Sequence, residues 1–104
     1  MKNKVPAHVK EGLKYLGKDY TKKEIDLEMC IYRRISSSYD IEITYSGGGM
    51  CGTGYKAYLW DISRGEGYMA KIVDRMPRYE GLPELKAWLD DAVERYTLKS
   101  KGGA

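Results

Sequence analysis

Gly47-Gly48-Gly49-Met50-Cys51-Gly52-Thr53-Gly54 is the stretch whose residue types come nearest to a known chemistry. Gly47, Gly49 and Gly52 stand at the G-x-G-x-x-G spacing, in which backbone amides cradle phosphate. That use needs a helix directly after the loop, so that its N-terminus faces the anion. Here Tyr55 to Ile62 follows, with the composition of a strand. The stretch therefore reads as a flexible hairpin connection. Gly47, Gly48, Gly49, Gly52 and Gly54 would let it rearrange as a recognition loop. Cys51 inside it is a nucleophile only if a base is near, and His8 is the single histidine of the chain. No cation stands beside Cys51 to favour its thiolate. A zinc site built from Cys30, Cys51 and His8 lacks paired ligand spacing and a fourth ligand. Asp90 and Asp91 are adjacent on a helical stretch and point in different directions. Glu94 shares a face with Asp90, as a solvated helix surface would have it. These patterns lead to the expectation of a non-enzymatic protein with no metal and no cofactor.

The basic residues offer a binding chemistry instead. Arg33 and Arg34 precede the main run of strands, Arg64 sits in a turn, and Arg75 and Arg78 flank Pro77 beside Tyr79. Arginine next to tyrosine suits phosphate, stacked bases or an acidic protein surface. The chain is tyrosine-rich, with ten Tyr, two Trp and no Phe. Tyrosine supplies contact area at low entropy cost, and it equally covers sheet edges and helix seams. The candidate binding residues are Tyr55, Tyr58, Arg64, Arg75, Arg78 and Tyr79. Net charge is +3, mild for a nucleic-acid binder. Its distribution is uneven: residues 1–34 hold nine Lys or Arg against five Asp or Glu, whereas residues 80–104 hold four against five.

The elements that must position these residues follow from periodicity. Tyr39, Ile41, Ile43 and Tyr45 alternate with Asp40, Glu42 and Thr44, which gives a strand with one face open to solvent or a partner. Tyr55–Ile62 gives a second strand and Tyr68–Val73 a third, joined by the turn Ser63–Gly67. In the second strand Ala57 and Leu59 oppose Tyr58, Trp60 and Ile62. Either set can face the core, and the core is favoured for Trp60 because an exposed indole is uncommon. Before the strands, Val5–Leu16 reads as a helix with Pro6 in its first turn, Gly17 past its end, and Val5, Val9, Leu13 and Leu16 on one stripe. Gly12 inside it carries a helix penalty. Thr21 and Glu24 form a capping-box pattern, which favours a second short helix towards Cys30 and then an extended segment through Ile31–Ile35. Leu27, Met29 and Ile31 also alternate as a strand would. Arg75–Gly81 is a polar connection held out of helix by Pro77. Leu82–Tyr96 is an amphipathic helix with the stripe Leu85, Trp88, Leu89, Ala92, Val93 and Tyr96.

The expected fold is α+β: one or two N-terminal helices, a three-stranded antiparallel meander, and a C-terminal amphipathic helix on one sheet face. The chain reads as one domain, 1–104, with residues 1–4 and 99–104 as flexible tails. The N-terminus has no apolar signal core, no run approaches the ~20 apolar residues that span a bilayer, and the two cysteines form no CxxC. These features favour a cytoplasmic protein with free thiols and no membrane partner.

The order helix, three antiparallel strands, helix is similar to that of double-stranded RNA-binding domains. Those domains place lysines at the start of the last helix to grip phosphate. Here that position reads Glu80-Gly81-Leu82-Pro83-Glu84-Leu85-Lys86, which is acidic. In size and in lack of a catalytic motif the chain also resembles small phage-encoded inhibitors, anti-CRISPR proteins among them, with no motif that carries residues over. The expected function is therefore a small module acting by protein–protein interaction, in the manner of a phage or mobile-element inhibitor. The alternative is nucleic-acid binding through the basic N-terminal half with Arg75 and Arg78. A free sheet edge also offers a route to a homodimer.

Overall fold

The computed structural model describes residues 5–25, 27–50, 52–65 and 69–102 of the 104-residue chain. Helix α1 (Ala7–Leu16) is followed by strands β1 (Thr21–Ile25), β2 (Glu28–Arg34), β3 (Tyr39–Gly47), β4 (Thr53–Asp61) and β5 (Lys71–Arg75), and then by helix α2 (Leu82–Gly102). The strands form a single antiparallel sheet in chain order, so each pairs with its neighbour in sequence. The fold is α+β with a C-terminal helix, as expected, but the sheet has five strands rather than three.

The two additional strands come from Thr21–Arg34, where a short helix towards Cys30 and then an extended segment from Ile31 were favoured. Thr21 and Glu24 do not cap a helix; they pair across to Tyr32 and Met29. Leu27, at φ 67°, takes the turn between β1 and β2. Pairing decides the conformation. In the ladder Ile31 sits opposite Ile43 and is fully buried beneath α1, while β2 covers what would otherwise be an open edge of β3. Arg33 and Arg34 are therefore part of the sheet rather than a segment before it.

Period-two alternation sorts the sheet into two faces. Ile31, Ile43 and Ala57 line up in register on one face, as do Ile41 and Leu59 in the next row, and all five are buried. Leu85, Leu89, Ala92 and Tyr96 of α2 and Val9 of α1 cover them. Gly12 explains itself here: a Cβ at this position would meet Ile31 Cδ1, and the Tyr55 ring is 3.4 Å away. Its lack of a side chain lets α1 lie close on the sheet. Met76 lies in the polar connection after β5, yet its side chain is only 2 % exposed. Its N–H donates to the Ala57 carbonyl at 3.0 Å and holds that connection against the sheet.

The ends differ from expectation. α2 continues through Gly102, so residues 99–102 are helical rather than a tail. Ser100 Oγ donates to the Tyr96 carbonyl at 2.9 Å and lies 2.8 Å from Ser36 Oγ. The expected third strand runs Lys71–Arg75 rather than Tyr68–Val73, starting three residues later and ending two later; Tyr68 and residues 1–4 lie outside the described residues. Its pairing with β4 shifts at Leu59/Trp60, leaving Val73 without a partner in the register. Such a bulge twists an edge strand and discourages edge-to-edge pairing. Among the described residues no helix is long and apolar enough to cross a membrane.

Candidate functional site on the open sheet face

Both helices lie on one side of the sheet, so the alternate residues of every strand face outward. The register aligns Tyr32, Glu42, Tyr58 and Arg75 in one row, and Arg34, Asp40, Trp60 and Ile72 in the next. Trp60 thus belongs to the open face, not to the core. With Ala57 and Leu59 buried under the helices, the phase of β4 leaves no other side for Tyr58 and Trp60. The indole is half-buried, and its Nε1–H donates to Glu42 Oε1 at 3.1 Å.

The centre of this face is acidic and flanked by rings. Asp40 and Glu42 lie two residues apart on β3. Tyr32 Oη donates to Asp40 Oδ2 at 2.8 Å, and the Cys30 thiol lies 3.7 Å from Glu42 Oε2. Burial first, and then the Asp40 hydrogen bond and charge, push the Tyr32 hydroxyl up to about 12. Among the described residues neither carboxylate has an ion pair. Arg34, next to Asp40 in register, turns its Nε to the Ser36 carbonyl at 3.0 Å. The Lys23 ammonium sits 4.2 Å from the centre of the Tyr32 ring. Tyr32, Asp40, Glu42 and Trp60, with Lys23 and Ile62 at the rim, line a shallow groove of about 580 Å³.

A second, cationic cluster lies beside it. Lys56 Nζ is 5.6 Å from the centres of both the Tyr58 and Tyr79 rings, and Arg75 stands opposite Tyr58. Three of the predicted binding residues, Tyr58, Arg75 and Tyr79, are therefore brought together around a lysine that sequence reasoning passed over. Arg78 projects from the following connection and pairs with Glu80 at 2.9 Å. Arg64 lies in the β4–β5 turn and, with Arg34 and Asp61, lines a separate cavity of about 250 Å³.

Tyr55 is not a surface residue. It is 4 % exposed under α1, its hydroxyl donates to the His8 carbonyl at 2.7 Å, and burial raises its pKa. His8 stacks on Tyr45 with ring centres 4.3 Å apart, and burial lowers its pKa. Both residues belong to the seam between α1 and the sheet.

The glycine-rich stretch is shorter as a loop than expected. Gly47 pairs with Thr53 and Gly54 with Ser46, so both belong to strands. Gly48, Gly49 and Gly52, all at positive φ, make the turn. Ser46 Oγ ties it by donating to the Gly52 carbonyl at 2.7 Å. Gly54 is buried where the backbone of Glu80 crosses it. Cys51, the candidate nucleophile, lies outside the described residues. Among the described residues no three His, Cys, Asp or Glu are grouped to hold a metal. Asp90 and Asp91 pair with Lys86 and Arg95 along the outer side of α2.

The residues missed from the sequence are Tyr32, Asp40, Glu42, Lys56 and Trp60. The alternation of Tyr39–Tyr45 already placed Asp40 and Glu42 on an open face; Tyr32 falls in the segment expected to be extended, Ile31–Ile35, whose pairing beside β3 no local pattern indicates. No known protein family, no curated protein and no solved structure matches this chain.

Proposed function

We propose that this chain is a small, non-enzymatic module that binds a protein partner through the open face of its sheet. The observation that carries this reading is the uncovered face itself, with Tyr32, Tyr58 and Trp60 on it between charged groups of both signs. Large amphipathic rings with a polar surround are the composition of interface hot spots. A module of this kind acts by occupying a partner's surface, the mode of action of a small inhibitor.

Nucleic-acid binding is the weaker alternative. Arg75 and Lys56 lie on the face, but Asp40 and Glu42 occupy its centre and repel phosphate, and Arg78 already carries Glu80.

The test is affinity capture from host extract with the wild-type chain and with the double variant Tyr58→Ala, Trp60→Ala. A nuclease-resistant protein partner held by the wild type and lost by the double variant is the expected result. Truncating one anchor should weaken binding by roughly 30-fold and truncating both by up to roughly 1,000-fold, since hot-spot residues cost about 2 kcal/mol or more each. A partner retained equally by both would overturn the assignment of the face. Tight, salt-sensitive binding of duplex DNA or RNA in an anisotropy titration would favour the alternative.

A further inference from the structure

We infer that the groove between Tyr32 and Trp60 receives an arginine side chain of the partner protein. The inference rests on the protein-binding reading of the same face and adds the chemistry of what docks there. Four observations carry it. The centre of the groove holds two carboxylates, Asp40 and Glu42, against one ammonium, Lys23, on a chain whose net charge is +3. The two central carboxylates have no ion pair among the described residues. Each is held by a neighbouring ring: Asp40 by the Tyr32 hydroxyl and Glu42 by the Trp60 indole. A carboxylate has about four acceptor sites, so both keep capacity for a further donor. Finally, the Tyr32 ring already attracts a cation, since Lys23 Nζ sits 4.2 Å from its centre.

Carboxylates fixed beside aromatic faces match a guanidinium on two counts. Its planar fork donates to carboxylate oxygens, and its plane stacks on rings. An ammonium offers only a point charge, and a phosphate or an acidic side chain would meet two like charges. The indole and phenol hydrogen bonds set the carboxylates in place before binding, which reduces the ordering cost of docking.

The test is a ¹H–¹⁵N NMR titration that follows the Trp60 indole N–H, assigned with Trp60→Phe. Three capped Gly-Gly-X-Gly-Gly peptides are compared, with X as arginine, its neutral isostere citrulline, or glutamate. The arginine peptide should shift the Trp60 resonance, and the other two should leave it in place. The variant Asp40→Asn, Glu42→Gln keeps the shape of both side chains and one acceptor oxygen in each, while removing both charges. It should weaken the arginine peptide by about tenfold, the scale of a lost charge-assisted contact, with an unchanged circular-dichroism spectrum. A citrulline peptide that binds as well as arginine, an unchanged affinity in the double variant, or a silent Trp60 resonance at millimolar arginine peptide would each overturn the inference. If the arginine peptide is silent while partner capture still depends on Tyr58 and Trp60, the cation assignment falls and the binding face stands. If the arginine peptide binds but capture is indifferent to those residues, the cation site stands and the function proposed for the face falls.

Discussion

Replacing Gly54 by alanine should unseat the segment that carries Arg78 and Tyr79. Gly54 has φ 131°, outside the region that L residues readily adopt, and a Cβ there would collide with the carbonyl of Glu80. That carbonyl cannot retreat without cost, because it accepts from the Tyr55 N–H at 2.7 Å while the Glu80 N–H donates to the Tyr55 carbonyl at 2.9 Å. The backbone strain is worth about 1–3 kcal/mol. The two bridge hydrogen bonds are worth about 0.5–1.5 kcal/mol each. Gly54→Ala should therefore lose about 2–6 kcal/mol, a large share of the ~5–15 kcal/mol that holds a domain of this size. Gly49→Ala is the control: φ is 87° and nothing lies within 4 Å of its Cβ, so only the left-handed strain of about 1–2 kcal/mol applies. Urea unfolding of both variants measures the difference, and amide exchange at Tyr55 and Glu80 should accelerate in Gly54→Ala alone. Equal losses in the two variants, to within about 0.5 kcal/mol, would refute the close-approach account.

Leu89→Ala removes a fully buried side chain from the centre of the α2 stripe and should cost about 2–5 kcal/mol in urea unfolding. Gly12→Ala gains about 1 kcal/mol of helix propensity but forces Ile31 aside in the core, where overpacking costs about 1–3 kcal/mol. The variant should be the less stable by about 1 kcal/mol, and a stabilised variant would contradict the packing of α1 on β2. The Tyr32 hydroxyl, raised from 10.0 to about 12 in the folded chain, favours the fold while it stays protonated. Its contribution is complete below about 10 and disappears as pH rises through about 12, because the unfolded chain releases that proton first. Asp40→Asn should bring the Tyr32 midpoint down in a ¹³C-tyrosine NMR titration; an unchanged midpoint would leave burial as its sole cause.

Much of this arrangement is legible in the sequence where local pattern and tertiary environment agree. The Leu85–Tyr96 stripe and the Tyr39–Tyr45 alternation each specify one conformation and one buried side, and both hold. Thr21–Arg34 does not, because its capping-box residues and its short apolar run fit helix or strand equally, and only the ladder to β3 decides. β4 hides its phase in another way: apolar groups lie on both of its faces, so the position of Trp60 follows only once α2 is known to cover Leu59. The choice of Tyr55 and Tyr58 together as surface residues conflicts with strand geometry. Three residues apart on one strand, they must point to opposite faces, and Tyr55 shares the phase of Ala57 and Leu59. Met76 and Gly54 could not be placed at all from local pattern, since both owe their burial to one segment crossing another.

The measurement that bears most directly on the central claim is a three-way capture with the wild-type chain, Tyr58→Ala with Trp60→Ala, and Leu98→Ala, followed by identification of the bound protein. Leu98 is an exposed apolar residue of α2, away from the open face. The account predicts one protein held by the wild type and by Leu98→Ala and released by the open-face variant, with all three chains equally folded by circular dichroism. A partner released by Leu98→Ala and kept by the open-face variant would place binding on the helical side and contradict the account.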